Sequence, residues 1–211
     1  LILDLATKGK LVPQDPMEQP ARKLLDRIEL EKQQLIKAGK IKKPKQLPII
    51  SPNEVPYEIP ESWEWVRLGN VGNIFNGNSI NAETKRTKYS KKIGLPYIAT
   101  KDIGYGLDEF DYNNGIYIPE DEPKFRVAPK DSILICSEGG SAGKKCGITN
   151  QDICFVNKLL ANETYGEISS KFILFTYISS SFQEQFQNSM TGIIGGISMS
   201  KFIQLLIPLP P

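Results

Sequence analysis

The chain has 211 residues, of which 40% are hydrophobic and 24% are charged, a composition typical of a soluble globular protein. It contains no histidine, which excludes serine–histidine and cysteine–histidine catalysis within the chain. Its three cysteines form no C-x-x-C pair and no apolar run is long enough to span a membrane, so neither a structural metal site nor a membrane segment is expected. We expect the cysteines to be partly buried apolar groups in a reducing cytoplasm.

The first segment, "LILDLATKGKLVPQDP", is predicted to form the last turns of a helix. Its leading apolar residues have helical spacing and are followed by Gly9. Pro13 and Pro16 rule out a continuous helix beyond this point. Since the chain also stops at "IPLPP", we expect both ends to have been cut from something longer.

A second helix is predicted over residues 20–39. Pro20 suits a first helical position, and Gly39 is well placed to end the helix. An apolar stripe follows the helical period and lies opposite a strongly charged face. The stripe either docks on the body of the same domain or packs against another helix, and the sequence does not separate these alternatives. The candidates for partner docking are Leu24, Leu25, Ile28 and Leu35.

Residues 45–58 are predicted to form an extended connector. The surrounding sequence is too rich in proline for a helix or a central strand. This pattern divides the chain into a helical segment for spacing or partner docking (1–44), the connector (45–58) and a second domain (59–211).

The second domain begins with large apolar residues in "ESWEWVRLGNV" and continues with short β-rich runs separated by turn residues. These runs are "LPYIAT", "GIYI", "SILIC", "KCGITN" and "ICFVNKLLAN". One helix is predicted over residues 167–186, with its aromatic side chains in the core. A glycine-rich loop, a short turn and a buried strand close the chain. The order predicts an α+β fold: a mixed, β-rich domain with a C-terminal helix, preceded by a helical N-terminal segment.

Charge is segregated along the chain. Residues 1–50 carry 11 Lys/Arg against 6 Asp/Glu, a net charge of +5, and the remainder carries a net charge of −3. Within the remainder, six basic residues from Lys85 to Lys101 have no acid between them, and seven acids from Asp102 to Glu122 follow. Clustered positive charge favours contact with a polyanion. The alternative interpretation is a solvated lysine-rich loop.

The stretch "CSEGGSAGKKCG" at residues 136–147 combines glycines with lysines, as phosphate-binding loops do. It is not a nucleotide-binding P-loop, because Gly139 and Gly143 enclose three residues instead of four and Lys145 stands where Ser or Thr is required. A hairpin turn between "SILIC" and "KKCGIT" is expected. In addition, the small side chains would let the backbone approach a nucleic-acid strand, with a lysine on phosphate.

Three stretches together resemble signatures of a known family. "IPESWEWVRLGNV", "GGSAGKKCGI" and "ISMSKFIQLLIPLPP" are similar to the target-recognition domain in specificity subunits of Type I restriction–modification systems. The leading segment from "LATKGKLVPQDP" to "IKK" resembles the region that precedes such a domain. Family members usually carry two recognition domains separated by long helices, so the resemblance identifies this chain as half a subunit.

The resemblance implies a non-catalytic DNA reader in a prokaryotic cytoplasm. The recognition domain would read one half of a split double-stranded DNA target, while helices set the spacing and dock the methyltransferase subunits. S-adenosylmethionine, ATP and magnesium would belong to partner subunits, including the motor–nuclease subunit that joins the assembled complex. A homodimer of the half-subunit is one arrangement consistent with this organisation. In agreement, the chain lacks an Asn-Pro-Pro-Tyr-type tetrad for adenine methylation.

Phosphates would supply most of the affinity and base edges the specificity. The candidates for phosphate contact are Lys85, Arg86, Lys88, Lys91, Lys92, Lys144 and Lys145. The candidates for base contact are Asn76, Asn78, Arg86, Lys101, Asp102, Ser137, Glu138 and Ser141, with Gly139, Gly140 and Gly143 allowing close approach. The 192–200 loop is a further DNA-facing candidate. If Lys91 and Lys92 touch phosphate, replacing both with alanine flattens the salt dependence by about 0.9 log units per lost contact.

Two other classes of function remain open at the level of sequence. An autonomous methyltransferase fragment would bind S-adenosylmethionine. A protein-interaction module would use the helix at 20–39 as its functional surface and would not touch DNA; the net charge of −3 on the second part favours this alternative.

Overall fold

The computed structural model describes residues 2–90, 93–193 and 195–211. The helices are α1 (Ile2–Thr7), α2 (Ala21–Lys37), α3 (Ala82–Lys88), α4 (Ser170–Ile178), α5 (Ser180–Ser189) and α6 (Met199–Phe202). The strands are β1 (Glu64–Arg67), β2 (Gly72–Asn76), β3 (Leu95–Ile98), β4 (Tyr117–Ile118), β5 (Val127–Ala128), β6 (Ile133–Cys136), β7 (Cys146–Ile148), β8 (Ile153–Phe155), β9 (Leu159–Thr164) and β10 (Leu206–Leu209). The predicted α+β class is confirmed. No helix among the described residues is long and apolar enough to cross a bilayer.

The chain divides into two units. Unit 1 comprises Leu1–Asn73, Thr164–Ser189 and Ser200–Pro211, and unit 2 comprises Ile74–Glu163 and Met190–Met199. These two units are defined by which residues pack together. The segments 1–44, 45–58 and 59–211 predicted from the sequence are functional regions, and this assignment stays a prediction.

Unit 1 is organised around the antiparallel pair β1 and β10, in which Glu64 lies opposite Leu209. Its core is aromatic: the rings of Tyr177 and Phe182 stack with centroids 4.7 Å apart, and Phe202 packs edge to face against both of them and against Phe186. The prediction that the aromatic residues of the C-terminal helical stretch form core is correct for Tyr177, Phe182 and Phe186.

Arg67 at the end of β1 holds the proline-rich connector in place. Arg67 is 5% exposed, and its guanidinium donates hydrogen bonds to the carbonyls of Pro48 and Gln204, at 3.1 and 2.9 Å. It also contacts both carboxylate oxygens of Glu54, at 3.0 and 2.8 Å. One buried side chain therefore satisfies acceptors from the connector and from the segment that leads into β10.

The helix predicted over 167–186 is instead two helices, α4 and α5, because Ser179 is extended with a ψ of 149°. Its hydroxyl donates to the carbonyl of Thr176 at 2.7 Å and accepts from the backbone N–H of Phe182 at 3.4 Å. Serine side chains compete in this way with the backbone hydrogen bonds of a helix, and three serines follow one another here.

The prediction for residues 20–39 is confirmed with small differences at the ends. Pro20 is the cap residue immediately before α2 rather than its first helical residue. Gly39 has a φ of +69°, the left-handed conformation that commonly ends a helix, and the backbone N–H of Lys40 donates to the carbonyl of Leu35 at 3.0 Å.

Unit 2 contains most of the strands, in two four-stranded sheets with the orders β2–β9–β6–β7 and β4–β3–β8–β5. The predicted hairpin is present, since β6 and β7 pair antiparallel. The run "ICFVNKLLAN" forms two strands, β8 and β9, and β8 pairs parallel with β3. The core of unit 2 is formed by apolar side chains that include Ile98, Phe110, Leu134 and Phe155.

The basic stretch that begins at Lys85 is not a simple loop, because residues 82–88 form helix α3. Asn81 caps this helix: its side-chain oxygen accepts a hydrogen bond from the backbone N–H of Thr84 at 2.8 Å. The last turn of α3 carries the cations, where positive charge is favoured by the helix dipole.

Candidate nucleic-acid interface

The glycine-rich stretch forms a tight turn between β6 and β7 in unit 2. The backbone N–H of Ala142 donates to the carbonyl of Gly139 at 2.9 Å, and that of Gly143 donates to Cys136 at 2.8 Å. Gly139 and Gly143 have φ values of +87° and +75°, so glycine serves backbone geometry at both positions. A Cβ atom at Gly139 or Gly140 would meet nothing within 4 Å, so the turn is open on this side.

A second loop, residues 190–197, is hydrogen-bonded to this turn. The backbone N–H of Gly139 donates to the carbonyl of Gly195 at 2.9 Å, and the N–H of Ile197 donates to Ser137 at 2.9 Å. The two segments thus form one element, which we call the glycine surface (residues 137–145 and 190–197, without residue 194). Of the 192–200 loop, predicted as a further DNA-facing candidate, Gly195 and Ile197 are hydrogen-bonded to the glycine-rich turn.

The three lysines of this region differ in their surroundings. Lys144 is exposed. Lys145 lies half-buried and donates from Nζ to the carbonyl of Thr100 at 3.1 Å, with the ring centroid of Tyr105 at 5.7 Å. The side chain of Lys101 is 75% exposed, and its Nζ lies 3.1 Å from Oδ1 of the neighbouring Asp102. Lys144 is therefore the cation best placed to reach a phosphate without giving up an internal contact.

Among the candidates for base contact, Asp102 and Ser137 are engaged inside unit 2. Asp102 is 5% exposed, and its Oδ2 accepts hydrogen bonds from the backbone N–H of Ala99 at 2.9 Å and from Asn114 at 2.7 Å. Ser137 is 7% exposed, and its hydroxyl donates to the carbonyl of Lys158 at 3.0 Å. Both side chains stabilise the turn regions, and we leave them out of the proposed contacts with DNA.

Glu138 and Ser141 remain accessible on the glycine surface. Glu138 is exposed, and Nζ of Lys158 lies 3.6 Å from its Oε1. Ser141 is half-buried in the turn itself, where its carbonyl accepts from the N–H groups of Lys144 and Lys145 at 3.0 and 3.2 Å.

A second group of predicted residues surrounds α3. Lys85 lies over the ring of Tyr97, with Nζ 5.0 Å from the centroid. Lys88 pairs with Glu122, and this contact raises the pKa of Lys88 and lowers that of Glu122. Arg86 is exposed at the same end of the helix. The positive charge of Lys88 is thus partly compensated within the chain.

Asn76 and Asn78 make protein contacts close to this group. Asn78 acts as a side-chain bridge: its Nδ2 donates to the carbonyl of Lys124 at 3.0 Å, and its Oδ1 accepts from the backbone N–H of Arg126 at 2.9 Å. Oδ1 of Asn76 accepts from the guanidinium of Arg126 at 3.1 Å. These asparagines order the segment that carries Lys124 and Arg126, both of which are exposed.

The predicted residues therefore form two groups, the glycine surface with Lys101 and the α3 group with Asn76 and Asn78. Lys91 and Lys92 lie outside the described residues. Sequence reasoning missed Tyr105, Lys158 and Arg126, which lie against predicted residues. Tyr105 carried a local signal, a lone aromatic between two glycines in "GYG". Lys158 and Arg126 carried none, because their contacts join segments that are far apart in sequence.

The partner-docking residues on α2 divide between two environments. Leu24 and Ile28 are 9% and 2% exposed within unit 1, so they pack on the body of the chain itself. Leu25 and Leu35 are half-buried, and Leu30 on the same helix is 62% exposed. Of the two alternatives for the apolar stripe, docking on the same domain therefore holds for Leu24 and Ile28.

The described residues contain no group of His, Cys, Asp and Glu side chains that could hold a metal ion. Burial raises the pKa of the Cys146 thiol to about 11 and that of Cys154 to about 12, which keeps both protonated at neutral pH. These thiols belong to the core of unit 2 and have the character of apolar side chains.

Comparisons with known proteins agree with this description. A family model for the Type I restriction modification DNA specificity domain matches residues 60–211. The chain is 46% identical over 120 residues to the Type I restriction enzyme EcoAI specificity subunit of Escherichia coli, covering 57% of this chain and 19% of that protein. It is 31% identical over 223 aligned residues to the EcoEI specificity subunit of the same organism, covering 100% of this chain and 36% of the relative. The chain thus spans about a fifth of the length of the first relative and little more than a third of the length of the second.

Solved structures show the same fold. A chain from a structure of the type I R-M system, described in terms of complex assembly and conformational transition, is similar with a TM-score of 0.56 and 21% identity, over 90% of this chain and 43% of that one. The HsdS subunit from Thermoanaerobacter tengcongensis is similar with a TM-score of 0.54 and 20% identity, over 90% of this chain and 44% of the other.

Proposed function

Because the chain belongs to the Type I restriction modification DNA specificity domain family, we propose that it binds double-stranded DNA and reads part of a target sequence, without catalysing a reaction itself. The observation that carries this proposal is the glycine surface. There, two loops of unit 2 are hydrogen-bonded into one element that is open above Gly139 and Gly140 and carries the exposed Lys144.

Phosphate contact is assigned first to Lys144 and Arg86. Both are exposed cations, and neither needs to break a buried hydrogen bond to reach a DNA strand. Contacts of this kind supply affinity that does not depend on sequence and falls with salt concentration. Glu138 and Ser141 are the candidates for reading base edges beside Lys144, since a carboxylate accepts from the amino group of cytosine and a hydroxyl serves several bases.

The partners are proposed from the same family membership. The chain would supply one half of the contacts to a split target and would dock methyltransferase subunits, and through them a motor–nuclease subunit, in a prokaryotic cytoplasm. S-adenosylmethionine, ATP and magnesium would bind those partners. For docking we assign Leu25, Leu30 and Leu35, the leucines of α2 that are not fully buried, because Leu24 and Ile28 are buried within unit 1. A homodimer through exposed parts of α2 is also part of the proposal.

The test is DNA binding by the full-length specificity subunit together with its methyltransferase subunits. A pool of randomised duplexes is used to select a bound sequence, and the association constant for that sequence is then measured at several salt concentrations. Replacing Lys144 with alanine is expected to reduce the slope of log K against log salt by about 0.9, the value for one lost phosphate contact. Lys171→Ala, which removes an exposed lysine on α4 in unit 1, is the matched control and leaves the slope unchanged.

The result also separates the other classes of function. If no duplex in the pool is retained at any salt concentration, the protein is an interaction module and the DNA proposal is wrong. If the isolated chain binds S-adenosylmethionine in a calorimetric titration, it contains a methyltransferase site and the non-catalytic assignment is wrong.

A further inference from the structure

A short loop in unit 2, residues 104–108, holds an aromatic side chain outward. The loop is fixed at two places: Oδ2 of Asp108 accepts from the backbone N–H of Tyr105 at 2.9 Å, and the N–H of Gly106 donates to the carbonyl of Cys146 at 2.8 Å. At Gly104 a Cβ atom would lie 2.3 Å from the Cβ of Asp108, so the loop closes tightly on itself.

The ring held by this loop lies in the open. Tyr105 is 63% exposed and the neighbouring Leu107 is 69% exposed, although large apolar side chains of unit 2 are otherwise mainly in its core. Since hydrogen bonds hold the backbone of the loop, the ring projects from a defined position on the surface. A rigid aromatic group on a surface can make contacts with a partner at a low cost in conformational entropy.

The ring also adjoins the glycine surface. Nζ of Lys145 lies 5.7 Å from its centroid while donating to the carbonyl of Thr100, and Tyr105 forms an isolated β-bridge with Cys146 at the end of the turn. An ammonium group has three protons, of which the contact with Thr100 takes one. The aromatic ring, the ammonium group and the exposed Lys144 next to it therefore offer an apolar contact beside positive charge.

We propose that Tyr105 is a specificity-determining residue that contacts the C5-methyl group of a thymine in the major groove. This inference rests on the proposed DNA binding. The bases of a duplex are stacked on one another, so a protein side chain can contact only their edges. In the major groove, the apolar group on these edges is the C5-methyl group of thymine. Insertion of the ring between two bases requires both of its faces, whereas Lys145 lies over one of them.

The experiment uses the full-length subunit with its methyltransferase subunits and the duplex sequence selected from the randomised pool. Each thymine of that duplex is replaced in turn by deoxyuridine, which removes only the methyl group. For the wild type, one replacement weakens binding about fourfold, the value for one buried methylene-sized group. Tyr105→Ser binds the unmodified duplex about fourfold more weakly and is insensitive to that replacement, while Tyr105→Phe behaves as the wild type.

The salt dependence adds an independent readout. Tyr105→Ser keeps the wild-type slope of log K against log salt, because no phosphate contact is lost, whereas Lys144→Ala reduces it. Ile49→Ser, at a side chain in unit 1 that is 91% exposed, is the matched control and leaves affinity unchanged. Wild-type binding that is equal for all deoxyuridine duplexes, or a Tyr105→Ser variant that binds as the wild type, overturns the inference while DNA binding stands. Absence of wild-type binding overturns the function proposed above instead.

Discussion

Arg67 and Glu54 form a salt bridge in which Nη2 of the guanidinium lies 2.8 Å from Oε2 of the carboxylate. The arginine side chain is 6% exposed and the glutamate side chain 41% exposed, so the pair joins a buried cation to an anion at the surface. Because the same guanidinium also satisfies carbonyls at residues 48 and 204, it connects the proline-rich connector to the β1–β10 pair.

Replacing Arg67 with alanine is expected to lower the free energy of unfolding by about 2–3 kcal/mol, since a buried charged side chain and its hydrogen bonds to Pro48, Gln204 and Glu54 are lost. The measurement is denaturant unfolding of the purified chain. Arg22→Ala is the matched control, because Arg22 is exposed on α2, and a change within about 0.5 kcal/mol is expected there. Equal stability of the two variants would contradict a structural role for Arg67.

Glu54 makes stability dependent on pH in the acid range. The backbone N–H of Ser51 and, next, the guanidinium of Arg67 lower the pKa of Glu54 below its ordinary value. A carboxylate with a lowered pKa in the folded state contributes stability above its ordinary pKa of about 4.3, and this contribution is lost as the pH falls through the folded-state pKa. Glu54→Gln is therefore expected to flatten the decline of unfolding free energy between about pH 5 and pH 3, compared with Glu61→Gln, a change at an exposed glutamate. Parallel curves for the wild type and Glu54→Gln would show that the contact has no pH-dependent effect.

Two glycines of unit 2 are expected to respond differently to alanine. A Cβ atom at Gly77 would lie 1.9 Å from the carbonyl oxygen of Phe155, so Gly77→Ala must displace the β8 backbone and should cost about 3 kcal/mol or more. At Gly140 the added methyl group enters open space, and stability should change by less than about 0.5 kcal/mol.

The same Gly140→Ala variant tests close approach of the backbone to DNA. If the turn serves only the hairpin, DNA binding is unchanged. The proposed function instead predicts weaker binding by this stably folded variant, measured with the selected duplex.

Arg86 and Lys88 are expected to contribute unequally to salt-dependent binding. Arg86→Ala should reduce the slope of log K against log salt by about 0.9. Lys88→Ala should reduce it less, because Glu122 already compensates the charge of Lys88. A larger effect at Lys88 would mean that the ion pair opens on DNA and would contradict the assignment.

The cysteines are expected to be unreactive in the folded chain. Burial raises the pKa of all three thiols, so little of the nucleophilic thiolate is present at pH 8. A chromogenic disulfide reagent should detect fewer than one thiol in the native protein and three after denaturation. Rapid release of a full equivalent from native protein would place a thiol at the surface.

Local chemistry made much of the fold predictable. The end of α2 at Gly39 and the hairpin of β6 and β7 follow from residues within a few positions of each other, and the structure contains both. Helix α3 was missed because its seven residues have no apolar stripe, although the capping residue Asn81 was a usable signal. The division between α4 and α5 was missed because the aromatic period continues across Ser179.

The candidate site was less predictable, since its geometry depends on contacts between distant segments. The hydrogen bonds from Gly139 to Gly195 and from Ile197 to Ser137 join residues more than fifty positions apart, and no local pattern specifies them. Likewise, the side chain of Asp102 is buried whereas that of the neighbouring Lys101 is exposed, although both are charged residues in the same polar stretch. The identity of the residues indicated polyanion contact, but their availability was set by tertiary packing.

The bridge formed by Asn78 has a consequence for chemical ageing. Its side-chain amide donates a hydrogen bond to the carbonyl of Lys124 and accepts one from the backbone N–H of Arg126. Deamidation to aspartate would place a second oxygen against the Lys124 carbonyl, so an attraction would become a repulsion at one end of the bridge. A chain in which Asn78 has become aspartate should therefore be less ordered around Arg126.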